Sequence, residues 1–183
     1  MTGTLLAISG SLRTKSSNTA VLLAAAGLAP EGVEVKLFKG LEDLPFFNPD
    51  KESTDHPAVL HFRREIKEAR ALLICSPEYA HGIPGVLKNA LDWIVGTAEL
   101  DKKKIGVINV TPLPATGTAY ALENLVEILR TMSADVKDEY VLKIGEIKSK
   151  FQDEVLTDEK TKAQLKSLLE KLLDKLNSVQ NET

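Results

Sequence analysis

Two kinds of apolar pattern alternate along the chain. Short apolar runs, typical of strands that are covered on both faces, are separated by longer segments whose apolar residues recur at helical spacing. The predicted strands are Thr4–Ser9, Val33–Phe38, Ala71–Ser76, Ile105–Val110 and a fifth within Val136 to Ile144. The predicted helices are Asn18–Leu28, Ala58–Ala69, Gly85–Val95, Thr118–Met132 and a C-terminal helix at about 158–177. This alternation predicts βαβ units and a parallel sheet.

Turn and cap residues refine these bounds. Ser17 or Asn18 is the expected cap of the first helix, and Pro84 is expected in the first turn of the third. The Gly40–Asp55 segment, rich in Gly, Pro, Asn and Asp, is expected to be a long loop. The leucines of the last helix indicate that it packs on the sheet and does not form a leucine-zipper coiled coil, because the helix is too short for a heptad array.

The fold class follows from the handedness of the connections. Right-handed crossovers leave few topologies for five alternating strands and helices. We predict an α/β fold with a doubly wound five-stranded parallel sheet in the order 2-1-3-4-5 and helices on both faces. With no linker or internal repeat visible, residues 1–183 are expected to form one domain. Ligands of such sheets bind beyond the carboxyl ends of the strands, at the point where the winding reverses.

Composition narrows the function classes. The 183 residues are 43% hydrophobic and 27% charged, with a net charge of −3, which gives no reason to expect a nucleic-acid or membrane partner. Cys75, the single cysteine, lies in an apolar run and is expected to be a buried structural thiol in a reducing compartment. With no membrane-spanning run and no secretory signal visible, we expect a cytoplasmic protein.

The first polar segment with candidate chemistry joins the first strand to the first helix. Gly10–Thr19 offers five hydroxyls, an Asn, an Arg, a Lys and the N–H groups of a helix start, which together favour an anion. It matches neither the P-loop pattern nor G-x-G-x-x-G. A single phosphate, with Arg13 adding a bidentate contact, is one interpretation, and a polar turn with a helix cap is equally favoured.

A second segment, Pro77–Gly85, follows the third strand. Its Pro and Gly residues can hold the backbone rigid beside a flat ring, on which Tyr79 could pack. A plain turn with an exposed aromatic residue explains the segment better when it is taken alone. His81 has no partners at metal-ligand spacing, and no nucleophilic triad is visible, so we expect no metal site and no catalytic side chain. Any enzymatic chemistry would then come from a cofactor.

Together these two segments resemble the NADPH-dependent FMN reductase family, a flavodoxin-like family that includes quinone, azo-dye and chromate reductases. The family motif G-S-L-R-x-x-S-x-N is complete at Gly10–Asn18, and P-E-Y-N-x-x-x-P-G-x-L-K-N-A-x-D-W is matched at Pro77–Trp93 except for Ala80. Leu44–Asp50 also resembles the family's loop after the second strand. The resemblance extends over roughly residues 4–145. The family's glycine-rich stretch after the fourth strand is replaced here by Thr111–Gly117, which holds two prolines.

The resemblance implies FMN as cofactor and NAD(P)H as co-substrate. It implies a ping-pong transfer of hydride through FMN to a small-molecule acceptor such as a flavin, quinone or azo compound, and a homodimer or homotetramer. The implied phosphate-binding residues are Ser11, Arg13, Ser16 or Ser17, Asn18 and Thr19. Those implied to line the flavin ring, largely through backbone, are Pro77, Glu78, Tyr79, Ala80, His81 and Gly82, with Thr111 in the third loop.

Three hypotheses about function remain at this point. The first is an NAD(P)H-dependent FMN, quinone or azo reductase. The second is an electron-carrier flavodoxin, which the 5% aromatic content and the charge of only −3 disfavour. The third is a flavin-free relative that keeps the fold as a scaffold or regulator. For an oligomer, the third helix and the Phe46–Phe47 loop are the expected contacts.

Overall fold

The computed structural model describes residues 3–51, 56–115 and 119–173. The main strands are β1 (Gly3–Ser9), β2 (Val33–Leu37), β3 (Ala71–Ser76), β4 (Lys104–Val110) and β5 (Val141–Ile144). The helices are α1 (Ser17–Gly27), α2 (Pro57–Glu68), α3 (Gly85–Asp92), α4 (Tyr120–Thr131) and α5 (Glu159–Leu173). The strands pair in parallel in the order β2-β1-β3-β4-β5, which confirms the predicted topology.

Two hydrophobic cores lie on opposite faces of the sheet. Successive side chains of the fully buried β3 alternate between them, as the twofold period of a strand requires. Leu72 and Ile74 pack with residues of α2, α3 and α4, whereas Leu73 and Cys75 pack with residues of α1 and α5. The prediction of helices on both faces is therefore confirmed.

Helix α5 packs closely on β4, as its leucine pattern predicts. Leu165, Leu168 and Leu172 are buried in the core of this face. Gly106 of β4 allows the close approach, because a Cβ there would lie 2.7 Å from Leu172 Cδ1. The predicted end of this helix, at about 177, lies outside the described residues.

Several helix ends differ from their predicted positions. The cap of α1 is Ser16 rather than Ser17 or Asn18, since the Ser16 side chain accepts a hydrogen bond from the Thr19 N–H at 3.4 Å. Pro84 is the residue before α3 rather than part of its first turn, and α3 ends at Asp92 rather than Val95. The predicted start of α4 at Thr118 lies outside the described residues.

The region around β5 holds the largest departure from the predicted elements. β5 lies within the predicted segment Val136 to Ile144, and it is preceded there by a 3-10 turn at Asp138–Tyr140 that buries the Tyr140 side chain. A small hairpin of β6 (Phe151–Gln152) and β7 (Val155–Leu156) then precedes α5. Its turn residues, Asp153 and Glu154, have φ values of 49° and 66° without the Asn or Gly that usually mark such a turn. The sequence therefore carries no signal for this hairpin.

Two residues of the second motif hold the loop after β2. Asn89 accepts a hydrogen bond from the Phe47 N–H at 2.8 Å and donates to the Pro45 carbonyl at 3.0 Å. The Trp93 indole N–H donates to the same carbonyl at 2.7 Å, and the Trp93 and Phe47 rings pack edge to face. The described part of this predicted loop, residues 40–51, also contains 3-10 turns at Leu41–Asp43 and Pro49–Lys51.

Candidate functional site

A cavity of about 650 Å³ lies at the carboxyl ends of the strands, where β1 and β3 are neighbours. Four segments surround it: the first loop (residues 10–16), the second loop (77–84), the third loop (111–115, as far as it is described) and the β5 extension (145–150). Of the predicted site residues, those that line the cavity are Ser11, Arg13, Ser16, Ser17, Asn18, Pro77, Glu78, Tyr79, Ala80, His81 and Thr111. Thr19 and Gly82 are not among its lining residues.

The first loop depends on a close approach of β1 to β3. The Gly10 N–H donates to the Cys75 carbonyl at 2.8 Å, and a Cβ on Gly10 would lie 2.7 Å from Ser76 Oγ. The Ser11 hydroxyl accepts a hydrogen bond from the Arg13 N–H at 3.4 Å, which curls the backbone toward the start of α1. The Ser17 and Asn18 N–H groups, at the first two positions of α1, have no acceptor within the helix, whereas the Thr19 N–H is capped by Ser16.

Two polar residues at the start of α1 make hydrogen bonds to the strands of the sheet. Asn18 is buried and its Oδ1 accepts a hydrogen bond from the Cys75 thiol at 3.3 Å. Thr19 Oγ1 lies 2.9 Å from Ser9 Oγ, so its hydroxyl bonds to β1 rather than lining the cavity. Cys75 is fully buried, which confirms the prediction of a buried thiol, and this burial raises the pKa of the Cys75 thiol well above its usual range.

The second loop contains a tight two-residue turn. Tyr79 and Gly82 exchange two backbone hydrogen bonds, each 3.0 Å long. The residues between them, Ala80 and His81, have φ values of 50° and 61°, a left-handed conformation that is unfavourable for residues with a Cβ. The turn holds the Tyr79 side chain at the mouth of the cavity, where it is 54% exposed.

Glu78 and His81 connect the second loop to α4. Glu78 Oε2 accepts a hydrogen bond from the Ala121 N–H at 3.1 Å, and its Oε1 lies 3.2 Å from His81 Nδ1. The His81 ring packs edge to face on Tyr120, with centroids 4.5 Å apart. A carboxylate at a helix N-terminus interacts favourably with the helix dipole. These two side chains thus hold the loop in place, while the backbone of the loop is left to face a ligand.

The third loop packs against the end of β5. Thr111 N–H donates to the Ile144 carbonyl at 3.0 Å, and the Thr111 carbonyl accepts from the Ile147 N–H at 3.1 Å. Gly145 makes this packing possible, since a Cβ there would lie 2.9 Å from the Leu113 carbonyl oxygen. Of the predicted segment Thr111–Gly117, the last two residues lie outside the described residues.

The charge of the cavity is positive although the chain is acidic. Arg13, Lys143 and Lys148 line it, and across the described ranges none of these three side chains makes an ion pair or a hydrogen bond. Glu78 is the acidic residue of the lining, and its carboxylate is engaged by α4 and His81. Unpaired cations around a cavity of this size favour an anionic ligand.

Sequence reasoning missed the two lysines, which come from β5 and its extension. The signal that could have found them is the topology, because β5 ends at the same edge of the sheet as β1, β3 and β4.

Within residues 3–51, 56–115 and 119–173, no cluster of three or more His, Cys, Asp or Glu could hold a metal ion. In the same ranges, no helix has the length and apolar character required to cross a bilayer.

Comparison of this sequence with known proteins identifies the family to which the chain belongs. The sequence profile described as NADPH-dependent FMN reductase matches residues 4–148. The chain belongs to this family. The match confirms the resemblance carried by the two motifs, and with it an oxidoreductase as the class of enzyme. It supports FMN as the cofactor and NAD(P)H as the co-substrate.

Individual relatives agree with this assignment. The chain is 46% identical to an NAD(P)H-dependent FMN reductase of Pseudomonas aeruginosa over 89 residues, a match that spans 48% of each protein. It is 32% identical to a quinone reductase of Pseudomonas putida over 168 residues, which cover 88% of each. The structure resembles FerB, a flavoenzyme NAD(P)H:(acceptor) oxidoreductase from Paracoccus denitrificans, with a TM-score of 0.80, 28% identity and coverage of 94% and 96% of the two chains.

Proposed function

We propose that this protein binds FMN in the cavity at the carboxyl ends of the strands and uses NAD(P)H to reduce a small acceptor of the quinone or flavin class. The observation that carries the proposal is the meeting of the two motif loops with three unpaired cations around one cavity. Family membership supports the same chemistry. The electron-carrier and flavin-free hypotheses lack this combined support.

The first loop and the start of α1 would hold the phosphate of FMN. The Ser11, Ser16 and Ser17 hydroxyls line the cavity beside the start of α1, where N–H groups and the helix dipole favour an anion. The Arg13 side chain, which makes no hydrogen bond or ion pair with the described residues, would add a charge-assisted hydrogen bond.

The second and third loops would hold the flavin ring. The turn from Tyr79 to Gly82 presents backbone rather than charged side chains, since Glu78 and His81 are engaged with α4. Tyr79 and Leu113 line the cavity as half-exposed apolar groups, which suits contact with a flat ring and a flat acceptor.

The chemistry would come from the cofactor rather than from an acid or base of the protein. When bound, FMN would supply two-electron hydride chemistry, and the overall reaction of NAD(P)H, a proton and a quinone would give NAD(P)⁺ and a hydroquinone. The residues of the chain bind and orient the reactants and keep the second loop rigid. We therefore expect activity to depend on flavin binding and not on the titration of one catalytic side chain.

The test begins with the purified protein. We expect it to bind FMN and to oxidise NAD(P)H when a quinone is added. Under anaerobic conditions, NADPH should bleach the yellow colour of the bound flavin. Replacement of both Ser11 and Arg13 by Ala should weaken FMN binding about tenfold or more, because a charge-assisted hydrogen bond and a hydroxyl are lost. Arg64→Ala, which removes an exposed arginine from α2, is the matched control.

Two results would contradict the proposal. A wild-type protein that binds no FMN would support the flavin-free hypothesis, and bound FMN that NAD(P)H does not reduce would support the electron carrier. An unchanged FMN affinity in the double variant would show that the phosphate lies elsewhere.

We also propose that the protein forms a homodimer or homotetramer in the cytoplasm. Phe46, in the loop held by α3, is 92% exposed and offers an apolar contact for a second copy. Light scattering at micromolar concentration tests the assembly, and Phe46→Ser should shift it toward monomer. A wild-type monomer at that concentration would contradict the proposal.

A further inference from the structure

The β5 extension presents a lysine from a firmly held backbone. Ile147 is buried, and its N–H donates to the Thr111 carbonyl at 3.1 Å. The Glu146 N–H donates to the Leu113 carbonyl at 2.9 Å, and the Ser149 hydroxyl donates to the Glu146 carbonyl at 2.8 Å. Lys148 lies between these anchored residues, so its backbone position is well defined while its side chain is exposed.

The position of Lys148 brings it to the first loop. A second cavity of about 610 Å³ lies between α1 and the β6–β7 hairpin. Ser16, Ser17, Ile147 and Lys148 line both this cavity and the site cavity. Lys148 therefore stands on the wall between the two cavities, together with the start of α1.

The neighbouring lysines differ from Lys148. Lys150, two residues further along, pairs with Asp158 at 3.0 Å and fixes the hairpin to the start of α5. Lys143 lines the site cavity but also a cavity on the outer side of α4, away from the first loop. Lys148 is thus an unpaired cation, within the described part of the chain, that lines the same two cavities as Ser16 and Ser17.

We propose that Lys148 is a further phosphate-binding residue, which contacts the terminal phosphate of FMN in addition to Arg13. This inference rests on the proposed FMN site. A phosphate monoester carries about −1.5 to −2 charges at neutral pH. Arg13 supplies one positive charge and the start of α1 roughly half of another. A second cation completes the charge balance, and a lysine suits a phosphate as a compact point charge.

The test compares FMN with riboflavin, which has the same ring and no phosphate. Binding is measured by quenching of flavin fluorescence for the wild type, Lys148→Gln and Lys148→Arg. We expect Lys148→Gln to weaken FMN binding about five- to tenfold at low salt, with riboflavin binding unchanged. The loss should shrink as salt screens the exposed charge, and Lys148→Arg should restore most of the affinity.

The control is Lys166→Gln, which removes an equal charge from an exposed position on α5. Its FMN affinity should equal that of the wild type. Equal FMN affinity in Lys148→Gln and the wild type would overturn the inference, as would an equal loss for riboflavin. A raised KM for NADPH with unchanged FMN affinity would also overturn it, because Lys148 would then serve the dinucleotide.

These outcomes separate this inference from the proposed function. If the wild type binds no FMN, the proposed function and the inference both fail. If the wild type binds FMN and Lys148→Gln binds it equally well, only the role of Lys148 fails.

Discussion

Ala80 lies in the tight turn of the second loop with a φ of 50°, where a side chain is unfavourable. An L-residue with a Cβ in the left-handed region is destabilised by about 1–2 kcal/mol, and glycine and asparagine enter this region far more readily. Ala80→Gly removes this strain but makes the unfolded chain more flexible, which opposes the gain by about 0.4–1 kcal/mol. We therefore expect a net stabilisation of about 0.5–1 kcal/mol for Ala80→Gly, and a similar gain for Ala80→Asn.

The assay is urea and thermal denaturation of the apoprotein, so that flavin binding does not contribute to the measured stability. For a chain of this size, 1 kcal/mol corresponds to a shift in Tm of about 2–4 °C. Ala26→Gly, within α1, is the matched control and should destabilise by about 0.5–1 kcal/mol. If Ala80→Gly destabilised the protein as much as Ala26→Gly does, the strain assigned to the turn would be refuted.

Three other predictions follow from contacts described above. Gly145→Ala should destabilise the protein by about 1–3 kcal/mol in urea denaturation and weaken FMN binding, because the new Cβ would collide with the third-loop backbone. The control is Gly27→Ala, which has open space at its Cβ and should leave the stability unchanged or raise it. Hydrogen bonds from Thr161, together with Lys150, lower the pKa of Asp158 from 3.8 to about 2, so its contribution to stability is complete above pH 3.8 and is lost as the pH falls toward 2. Asp158→Asn should flatten the dependence of stability on pH in that interval, and an unchanged acid profile would contradict this. Asn89→Ala should cost about 1–3 kcal/mol and speed hydrogen exchange in the loop after β2, and unchanged protection there would show that its amide does not hold the loop.

The fold was largely predictable because its signals are local and repeated. The central strands are continuous apolar runs, β2 alternates, α1 is rich in Ala and Leu, and α2 to α5 each carry one apolar face, so pattern alone gives the alternation of strands and helices. Right-handed crossovers then leave few possible orders of the strands. The β6–β7 hairpin was missed because Asp153 and Glu154 form its turn without the residues that usually favour it.

The candidate site was predictable in outline and not in its side-chain directions. The two motif loops face one cavity, as their positions after β1 and β3 predict. The sequence could not show that Glu78 bonds to α4 and that His81 packs on it, because these contacts join segments far apart in the chain, as the 43-residue separation of Glu78 and Ala121 illustrates. The position of Lys148 beside the cavity could not be predicted either, since an exposed lysine in a polar segment belongs to no recognisable sequence pattern.

The cavity has a consequence for biosynthesis. Its walls are formed by the segments that follow β1, β3, β4 and β5. The last wall to be synthesised contains Ile147 and Lys148. A ribosome-bound chain that stops before this point has the first loop but lacks one side of the pocket. Parallel pairing over such sequence distances also forms late in folding. If FMN binds in this cavity as proposed, its loading would follow translation of most of the chain, and fragments truncated before residue 147 should emerge from synthesis colourless.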